Sequence, residues 1–119
     1  DRADEAAPIL KKAIRLDPHT PGWYMHVLAA AYRDIQQYEE AMKWGEKAVH
    51  QNPKNVLSRV ILCSIYNLAG RMDEARAQAK EIMKINPQFS VDRFARTDPT
   101  KNQVVKKRYI DALRNAGFK

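Results

Sequence analysis

Cysteine, glycine and long apolar runs are scarce in this sequence, and each shortage excludes a class of protein. Cys63 is the only cysteine among 119 residues, so an internal disulfide is impossible and a reducing, cytoplasmic location is expected. No apolar run approaches the roughly 18 residues that a membrane-spanning helix needs. The 4 glycines are isolated from one another, which leaves no glycine-rich loop to hold a phosphate. The start, Asp1 to Glu5, lacks the apolar core of a secretory signal.

Catalytic and metal-binding patterns are also missing from the sequence. The 3 histidines are scattered along the chain, at His19, His26 and His50. None of them forms a metal-binding pattern with another ligand type at helical spacing, and there is no cysteine pair. Adjacent acids such as Glu39 and Glu40 fall at a predicted helix start, where they complement the helix dipole. We therefore predict no catalytic residue, no metal site and no cofactor, and so no enzyme.

What the chain does contain is one pattern repeated three times. Each copy begins with acidic residues before an alanine and ends in Asp-Pro or Asn-Pro. The alanines are Ala6, Ala41 and Ala75, and the prolines are Pro18, Pro53 and Pro87, so each set steps by 35 and then 34 residues. A fixed period of this length indicates a helical solenoid.

Each copy predicts one helix, and a second helix precedes two of the copies. The acids favour the positive end of the helix dipole, and proline disfavours the helical conformation of the residue before it. Upstream, the segments Met25 to Tyr32 and Arg59 to Tyr66 carry apolar residues at helical spacing, 34 residues apart. The repeat unit is therefore helix A, turn, helix B. The predicted fold class is all-α, a helix-turn-helix solenoid of about two and a half repeats with a C-terminal capping helix.

The helix boundaries follow from caps and breakers. We predict helices over Ala3–Leu16, Gly22 to about Ile35, Tyr38–Gln51, Val56–Ala69 after an Asn55 cap, and Met72–Ile85. Thr20-Pro21 provides the cap for the second of these helices. Gly45, inside a helix, implies the close approach of a neighbouring helix. Cys63 is expected to be a small buried residue and not a reactive thiol.

The rest of the chain is predicted to cap the last repeat. Phe89, Val91 and Phe94 form an irregular apolar stretch, after which Asp98-Pro99 starts a last helix that Gly117 ends. Its apolar face carries Val105, Tyr109, Ala112, Leu113 and Ala116. The predicted organisation is repeats over 1–89, divided into a half repeat 1–20 and full repeats 21–55 and 56–89, followed by a capping segment over 90–119.

These residues resemble the tetratricopeptide repeat, with its pattern W-x2-L-G-x2-Y, A-x3-F and P. The matching positions are Leu28, Tyr32, Ala41, Ala48 and Pro53 in one repeat, and Leu62, Tyr66, Ala75 and Pro87 in the next. The sequence departs from the pattern at the tryptophan position, with Met25 and Arg59, and at the glycine position, with Ala29 and Cys63. The resemblance implies a non-catalytic protein-protein interaction module.

In that family the A helices line a groove that binds a peptide, a partner domain or a second copy. The matching positions are Trp23, His26, Val27, Ala30, Leu57, Val60, Ile61 and Ser64. Relatives that clamp a C-terminal carboxylate carry Lys, Arg and Asn there, so this set implies an apolar or amphipathic ligand. Exposed apolar patches mark interfaces, and we expect Trp23, Val27, Val60 and Ile61 to be exposed in an isolated monomer. The expected cover is a partner, a second copy, or the segment Phe89 to Phe94 folded back.

The positive charge is concentrated near the C-terminus. Residues 84–119 carry nine Lys or Arg against three Asp, a net of +6 out of the formal +7. The basic cap face is predicted to consist of Lys101, Lys106, Lys107, Arg108 and Arg114. Such a face can attract nucleic acid or an acidic surface. No aromatic residues interleave these charges as a base-stacking platform requires, so a solvated helix face is favoured over nucleic-acid binding.

A narrower resemblance concerns short motifs spread over most of the chain. Asn86 to Ser90, Asp98-Pro99 and the closing Leu113 to Gly117 are similar to the tetratricopeptide tails of bacterial class III adenylate/guanylate cyclase-like proteins. Pro21 to Tyr24 is similar to that group as well. This resemblance implies that the chain is the C-terminal part of a larger signalling protein with a cyclase or other effector domain upstream. An intramolecular structural or regulatory tail is therefore the alternative function, and homodimerisation stays open.

Overall fold

The computed structural model describes residues 22–98 and 102–118, with side chains from Met25 onward. The predicted helix over 3–16 and the Thr20-Pro21 cap lie outside the described residues. The described part contains six helices and no strand: α1 Gly22–Asp34, α2 Tyr38–Gln51, α3 Val56–Leu68, α4 Met72–Ile85, α5 Val91–Thr97 and α6 Gln103–Asn115. Each of these helices is too short or too polar to cross a bilayer.

The first four helices form two successive helix-turn-helix units, as the repeat predicted. The helices α2 and α4 begin and end at the predicted residues, and Pro53 and Pro87 follow their last turns. In the turn of each unit the backbone takes a left-handed conformation, at Gln36 with φ 64° and at Gly70 with φ 82°. These left-handed residues close the end of the A helix and reverse the chain into the B helix.

The helix α3 is the centre of the packing, in contact with α1, α2, α4 and α6. Its first turn is capped by Asn55, whose side chain accepts a hydrogen bond from the Ser58 N–H at 3.2 Å, as predicted. Because neighbours surround it, eight of its residues are buried: Ser58, Val60, Ile61, Leu62, Cys63, Ser64, Ile65 and Tyr66. An α-helix that is apolar on nearly every side requires such an environment.

The close contact predicted at Gly45 lies between α2 and α3. A Cβ atom on Gly45 would stand 3.0 Å from Leu62 Cδ1, so the absence of a side chain lets the two helices approach. At the helix contacts of the two repeats, Ala41 and Ala75 are fully buried, and Tyr32 and Tyr66 are buried as well. The predicted repeat register is confirmed at these four positions.

The C-terminal segment differs from the prediction in two places. The stretch around Phe94 was expected to be irregular, but it forms α5, whose first turn is capped by Ser90 through a 3.2 Å hydrogen bond from the Arg93 N–H. The last helix was expected to start at Asp98, but Asp98 ends α5, and α6 begins at Gln103. Asn102 caps α6 by accepting hydrogen bonds from two backbone N–H groups, at 3.0 and 3.1 Å. Both Asp and Asn are good caps, so the sequence pattern alone could not choose between them.

Candidate functional site

The predicted groove residues divide into an open part and a covered part. Val27 on α1 is 37% exposed and Leu57 on α3 is 42% exposed. Ala30 is half-buried, whereas His26 is buried. The side chain of Trp23 lies outside the described residues. The open part of the groove therefore contains Val27, Ala30 and Leu57.

The expectation that Val60 and Ile61 would be exposed is wrong. Val60 is 1% exposed, Ile61 is 7% exposed and Ser64 is fully buried. The reason is that α3 has helices on several sides, among them α6 of the same chain. The apolar face of α6 packs against α3, so the cover is none of the three expected ones, a partner, a second copy or the segment Phe89 to Phe94.

Three side chains connect α6 with the two A helices. The Tyr109 ring of α6 lies over the Arg33 guanidinium of α1, with Cζ 4.0 Å from the ring centroid. Arg33 Nη1 also donates a hydrogen bond to Ser64 Oγ of α3 at 3.0 Å. Tyr109 of α6 thus lies over the hydrogen bond that joins Arg33 of α1 to Ser64 of α3.

The buried guanidinium of Arg33 is a site residue that the sequence reasoning missed. Arg33 is 5% exposed, and its Nε donates to Asp34 Oδ1 at 2.9 Å. A buried charge is tolerated when it is paired and hydrogen-bonded, and the aromatic face adds a cation–π attraction. A basic residue in the last turn of a helix normally serves the helix dipole in solvent, so no local pattern indicates this burial.

The apolar residues before α6 pack against α6 and not across the groove directly. The ring centroids of Phe94 and Tyr109 are 6.5 Å apart in an edge-on arrangement. Phe89 lies 6.2 Å from Phe94 and 5.0 Å from Phe118 by the same measure. Through Tyr109 and Phe118, these aromatic contacts join α5 and the residues before it to α6, and they extend the core beyond the repeats.

His26 occupies the buried side of the groove wall. Its Nδ1 atom has no hydrogen-bond partner in the structure, and burial lowers the pKa of the imidazole below its usual 6.5. Burial disfavours the charged form of histidine, so His26 is held neutral. It serves as packing in α1 and not as a charged contact for a ligand.

The basic cap face is only partly a free surface. Lys101 lies outside the described residues. Lys107 and Arg114 are exposed, and they form ion pairs with Asp111 and Asp92 at 2.9 Å. Lys106 and Arg108 are half-buried. Lys106 Nζ donates to the Asp98 carbonyl at 3.3 Å, and Arg108 reaches the side-chain amide of Gln36, whose oxygen accepts at 3.1 Å once the amide is turned toward it.

A second concave feature lies along α2. It is a cavity of about 600 Å³ lined by Met25, Lys43, Glu46, Lys47, His50 and Gln51. The ammonium groups of Lys43 and Lys47 lie 5.8 and 4.7 Å from the Trp44 ring centroid, and the buried Trp44 Nε1 has no hydrogen-bond partner in the structure. The lining brings together lysines, one carboxylate and one imidazole on a single helix face, an arrangement suited to binding and not to a defined acid–base step.

Groups that could carry chemistry are dispersed. Within residues 22–98 and 102–118, no three His, Cys, Asp or Glu side chains come together as a metal site. The Cys63 thiol is buried and donates a hydrogen bond to the Ala75 carbonyl at 3.3 Å. Burial raises its pKa from 9.0 to about 12, which keeps the thiol protonated and unreactive.

Comparison with known proteins agrees with the helix-turn-helix architecture. Residues 22–50 match the tetratricopeptide repeat family. A solved structure of MamA superposes with a TM-score of 0.70 at 19% identity, over 96% of this chain and 66% of the MamA chain. No curated protein sequence matches the chain. This chain spans about two thirds of the length of the MamA structure. The protein is therefore an all-α, tetratricopeptide-like helical solenoid.

Proposed function

We propose that this chain is a protein-interaction module that binds an apolar segment of a partner protein in the open part of the groove. The tetratricopeptide repeat over residues 22–50 supports the interaction module. The observation that carries the proposal is that Val27 and Leu57 stay exposed, by 37% and 42%, while the other groove side chains that the structure describes are buried or half-buried.

The register of the repeat supports treating these side chains as one surface. The helices α1 and α3 are the A helices of successive units, so they run parallel and pack against each other. Val27 occupies the position of Ile61 in the next repeat, and Leu57 stands one helical turn before Ile61. Both exposed side chains therefore lie in the first halves of the A helices, whereas Arg33, over which Tyr109 of α6 lies, and its partner Ser64 are in the second halves.

The chemistry of this surface selects the partner. Val27, Ala30 and Leu57 carry no charge and no hydrogen-bonding group in their side chains, so the surface offers only apolar contact. Single exposed apolar residues are ordinary, but exposed apolar side chains at groove positions on both A helices are what an interface for an apolar ligand requires. The proposed ligand is a segment whose apolar side chains pack on these three residues.

The test is selection of peptides of about 16 residues from a displayed random library on the full chain, followed by titration of the selected peptides against variants. Val27→Asp and Leu57→Asp each place a charge in the contact, and we expect each to weaken binding by about tenfold or more. Val104→Asp is the matched control, because Val104 is apolar and 70% exposed but lies on α6. This control is expected to bind as the parent chain does.

Two results would contradict the proposal. One is a selection that enriches no peptide. The other is a set of selected peptides whose affinities are the same for Val27→Asp, Leu57→Asp and the parent chain. Circular dichroism of each variant separates loss of binding from loss of folding.

A second candidate function is that of an intramolecular structural or regulatory tail, attached to an enzyme of the cyclase-like class that the short motifs resemble. The observation that favours it is α6 packed on the A helices, since the groove is then filled in part by the same polypeptide. Sedimentation at several concentrations is the test. This candidate expects the monomer mass throughout, whereas a dimer that grows with concentration would indicate that a second copy fills the groove instead.

A further inference from the structure

The strongest unexplained feature of the molecule is the chemistry beneath α6. Capping of an apolar repeat requires only an apolar helix face, yet Tyr109 lies 4.0 Å over the guanidinium of Arg33, a residue that is 5% exposed. Arg33 also donates to Ser64 Oγ, which in turn donates to the Ile61 carbonyl at 2.7 Å. The groove floor therefore presents to the aromatic ring a fixed, buried guanidinium, which is also paired with Asp34 at 2.9 Å.

A floor of this kind discriminates among the helices that cover it. A desolvated guanidinium gains a cation–π contact from an aromatic face, whereas an aliphatic residue there would leave that charge with less compensation. The helix α6 carries Tyr109 and the further buried side chains Ile110 and Leu113, and the buried Ala116 follows its last turn. This pattern is that of a helical ligand in a binding site: Tyr109 is the anchor residue, and apolar residues follow one, four and seven positions later.

Outside this face, α6 and the residues after it are attached by the ring contacts of Phe94 with Tyr109 and of Phe89 with Phe118, and by an exposed ion pair. Arg114 pairs with Asp92 at 2.9 Å, but the two side chains are 52% and 77% exposed. Exposed ion pairs of this kind add little stability. The ion pair of Lys107 with Asp111 lies within α6 itself and does not attach the helix to the rest of the molecule.

We propose that α6 is a resident ligand of the groove, which a partner's amphipathic helix displaces by presenting an aromatic residue to Arg33 and apolar residues one, four and seven positions later. This inference rests on the proposed interaction function and adds the identity of the competitor. Because α6 is tethered to the site, its effective concentration is high, and a free helix of the same kind binds only weakly. The apparent affinity for the partner is reduced by the fraction of molecules in which the site is free.

The test uses the full chain and a labelled synthetic peptide of residues 102–118. Tyr109→Ala in the chain weakens the resident helix without altering Arg33, Ser64 or the rest of the floor. We expect the peptide to bind the Tyr109→Ala chain about tenfold or more tightly than the parent chain, as removal of an internal competitor requires. The same peptide carrying Tyr109→Ala is the control, and it should bind neither chain.

Hydrogen exchange on the unaltered chain gives an independent measurement. If α6 leaves the groove while the repeats stay folded, its amides exchange through a local opening and faster than the core amides of α3. Leu113→Ala is a second weakening variant in case Tyr109→Ala loses helicity. Should both variants unfold, the exchange comparison alone decides.

The outcomes are distinct. Tighter peptide binding by the weakened chain together with faster exchange in α6 supports the proposal. Equal exchange in α6 and α3 overturns it, and so does a folded Tyr109→Ala chain that binds the peptide no better than the parent. If the selected library peptides need Val27 and Leu57 for binding but leave the α6 amides protected from exchange, the proposed function stands and this inference is wrong.

Discussion

Cys63 shows how burial decides the chemistry of a single side chain. Its Sγ contacts the Ala75 carbonyl at 3.3 Å, and the corresponding residue of the preceding repeat, Ala29, is equally buried. The position thus requires a small side chain at a helix crossing, and the thiol is accepted because it is small. Its pKa of about 12 in the folded chain, against 9.0 in an unperturbed thiol, has a consequence for stability.

The first prediction is a pH dependence that originates at Cys63. The unfolded chain releases the thiol proton near pH 9, while the folded chain keeps it until about pH 12. The contribution of Cys63 to the free energy of unfolding is therefore complete below pH 9 and falls as the pH rises toward 12. Urea unfolding at neutral pH and at about pH 10.5 measures the loss. We expect the loss to be smaller in Cys63→Ala. An equal decline in both proteins would contradict the assignment, and the difference isolates Cys63 from Tyr66, whose pKa is also raised by burial.

Gly45 illustrates two opposing terms at one residue. Alanine in a helix interior is favoured over glycine by about 1 kcal/mol, but the added Cβ would stand 3.0 Å from Leu62 Cδ1 in a closely packed core. Overpacking of this kind costs about 1–3 kcal/mol, so the steric term is the larger one.

The second prediction is a change of sign in a double-mutant cycle. Gly45→Ala should destabilise the parent chain by about 1 kcal/mol, the difference between overpacking and helix propensity. In a Leu62→Ala background the clashing methyl is gone, and the same substitution should then stabilise by up to about 1 kcal/mol. Four urea unfolding curves give the cycle. Additive effects would mean that the contact between α2 and α3 is looser than the structure has it.

At the scale of the helix, side-chain caps explain where α3, α5 and α6 begin. Asn55 and Asn102 each accept backbone N–H groups of the first turn, at distances of 3.0 to 3.2 Å. The sequence identified Asn55 because an apolar run follows it directly. It did not identify Asn102, because Asp98 and the proline after it form an equally good start signal.

The third prediction compares cap substitutions. Asn55→Ala and Asn102→Ala should each cost about 0.5–2 kcal/mol, since the first-turn N–H groups lose their acceptor. Asn102→Asp retains an acceptor and should restore most of the loss, while the exposed neighbour Gln103→Ala should have little effect. Urea midpoints report the free energy, and amide exchange in Val104 and Val105 reports the local loosening. A loss in Asn102→Asp as large as in Asn102→Ala would show that the cap is not what fixes the start of α6.

At the scale of the whole molecule, stability depends on how the last repeat is covered. The helix α3 has partners on several sides, and α6 is one of them. A terminal repeat needs a polar outer surface to stay soluble, and α6 provides it by turning Tyr109 and Leu113 inward and Lys107 and Arg114 outward.

The fourth prediction is the effect of removing residues 90–119. The truncated chain loses α5 and α6, exposes apolar surface of α3 and the buried charge of Arg33, and should aggregate or lose cooperative unfolding. Light scattering coupled to size exclusion and thermal circular dichroism measure both effects. Lys107→Ala combined with Arg114→Ala, which changes only the outer face of α6, is the control and should keep the mass and the melting temperature of the parent chain. A truncated chain that behaves as this control does would remove α6 from the account of stability.

The sequence by itself determined the repeat unit, because the period of 34 and 35 residues, the acidic starts and the proline stops are local signals that each act within one helix. It therefore placed α2 and α4 to the residue and identified the close contact at Gly45. Tertiary structure alone decided which element covers the groove, because the apolar side chains of Val60 and Ile61 suit an exposed groove and a buried core equally well. The burial of Arg33 beneath Tyr109 depends on two side chains that are 76 residues apart in sequence, and no local pattern records a contact that only the packing of α6 on the A helices creates.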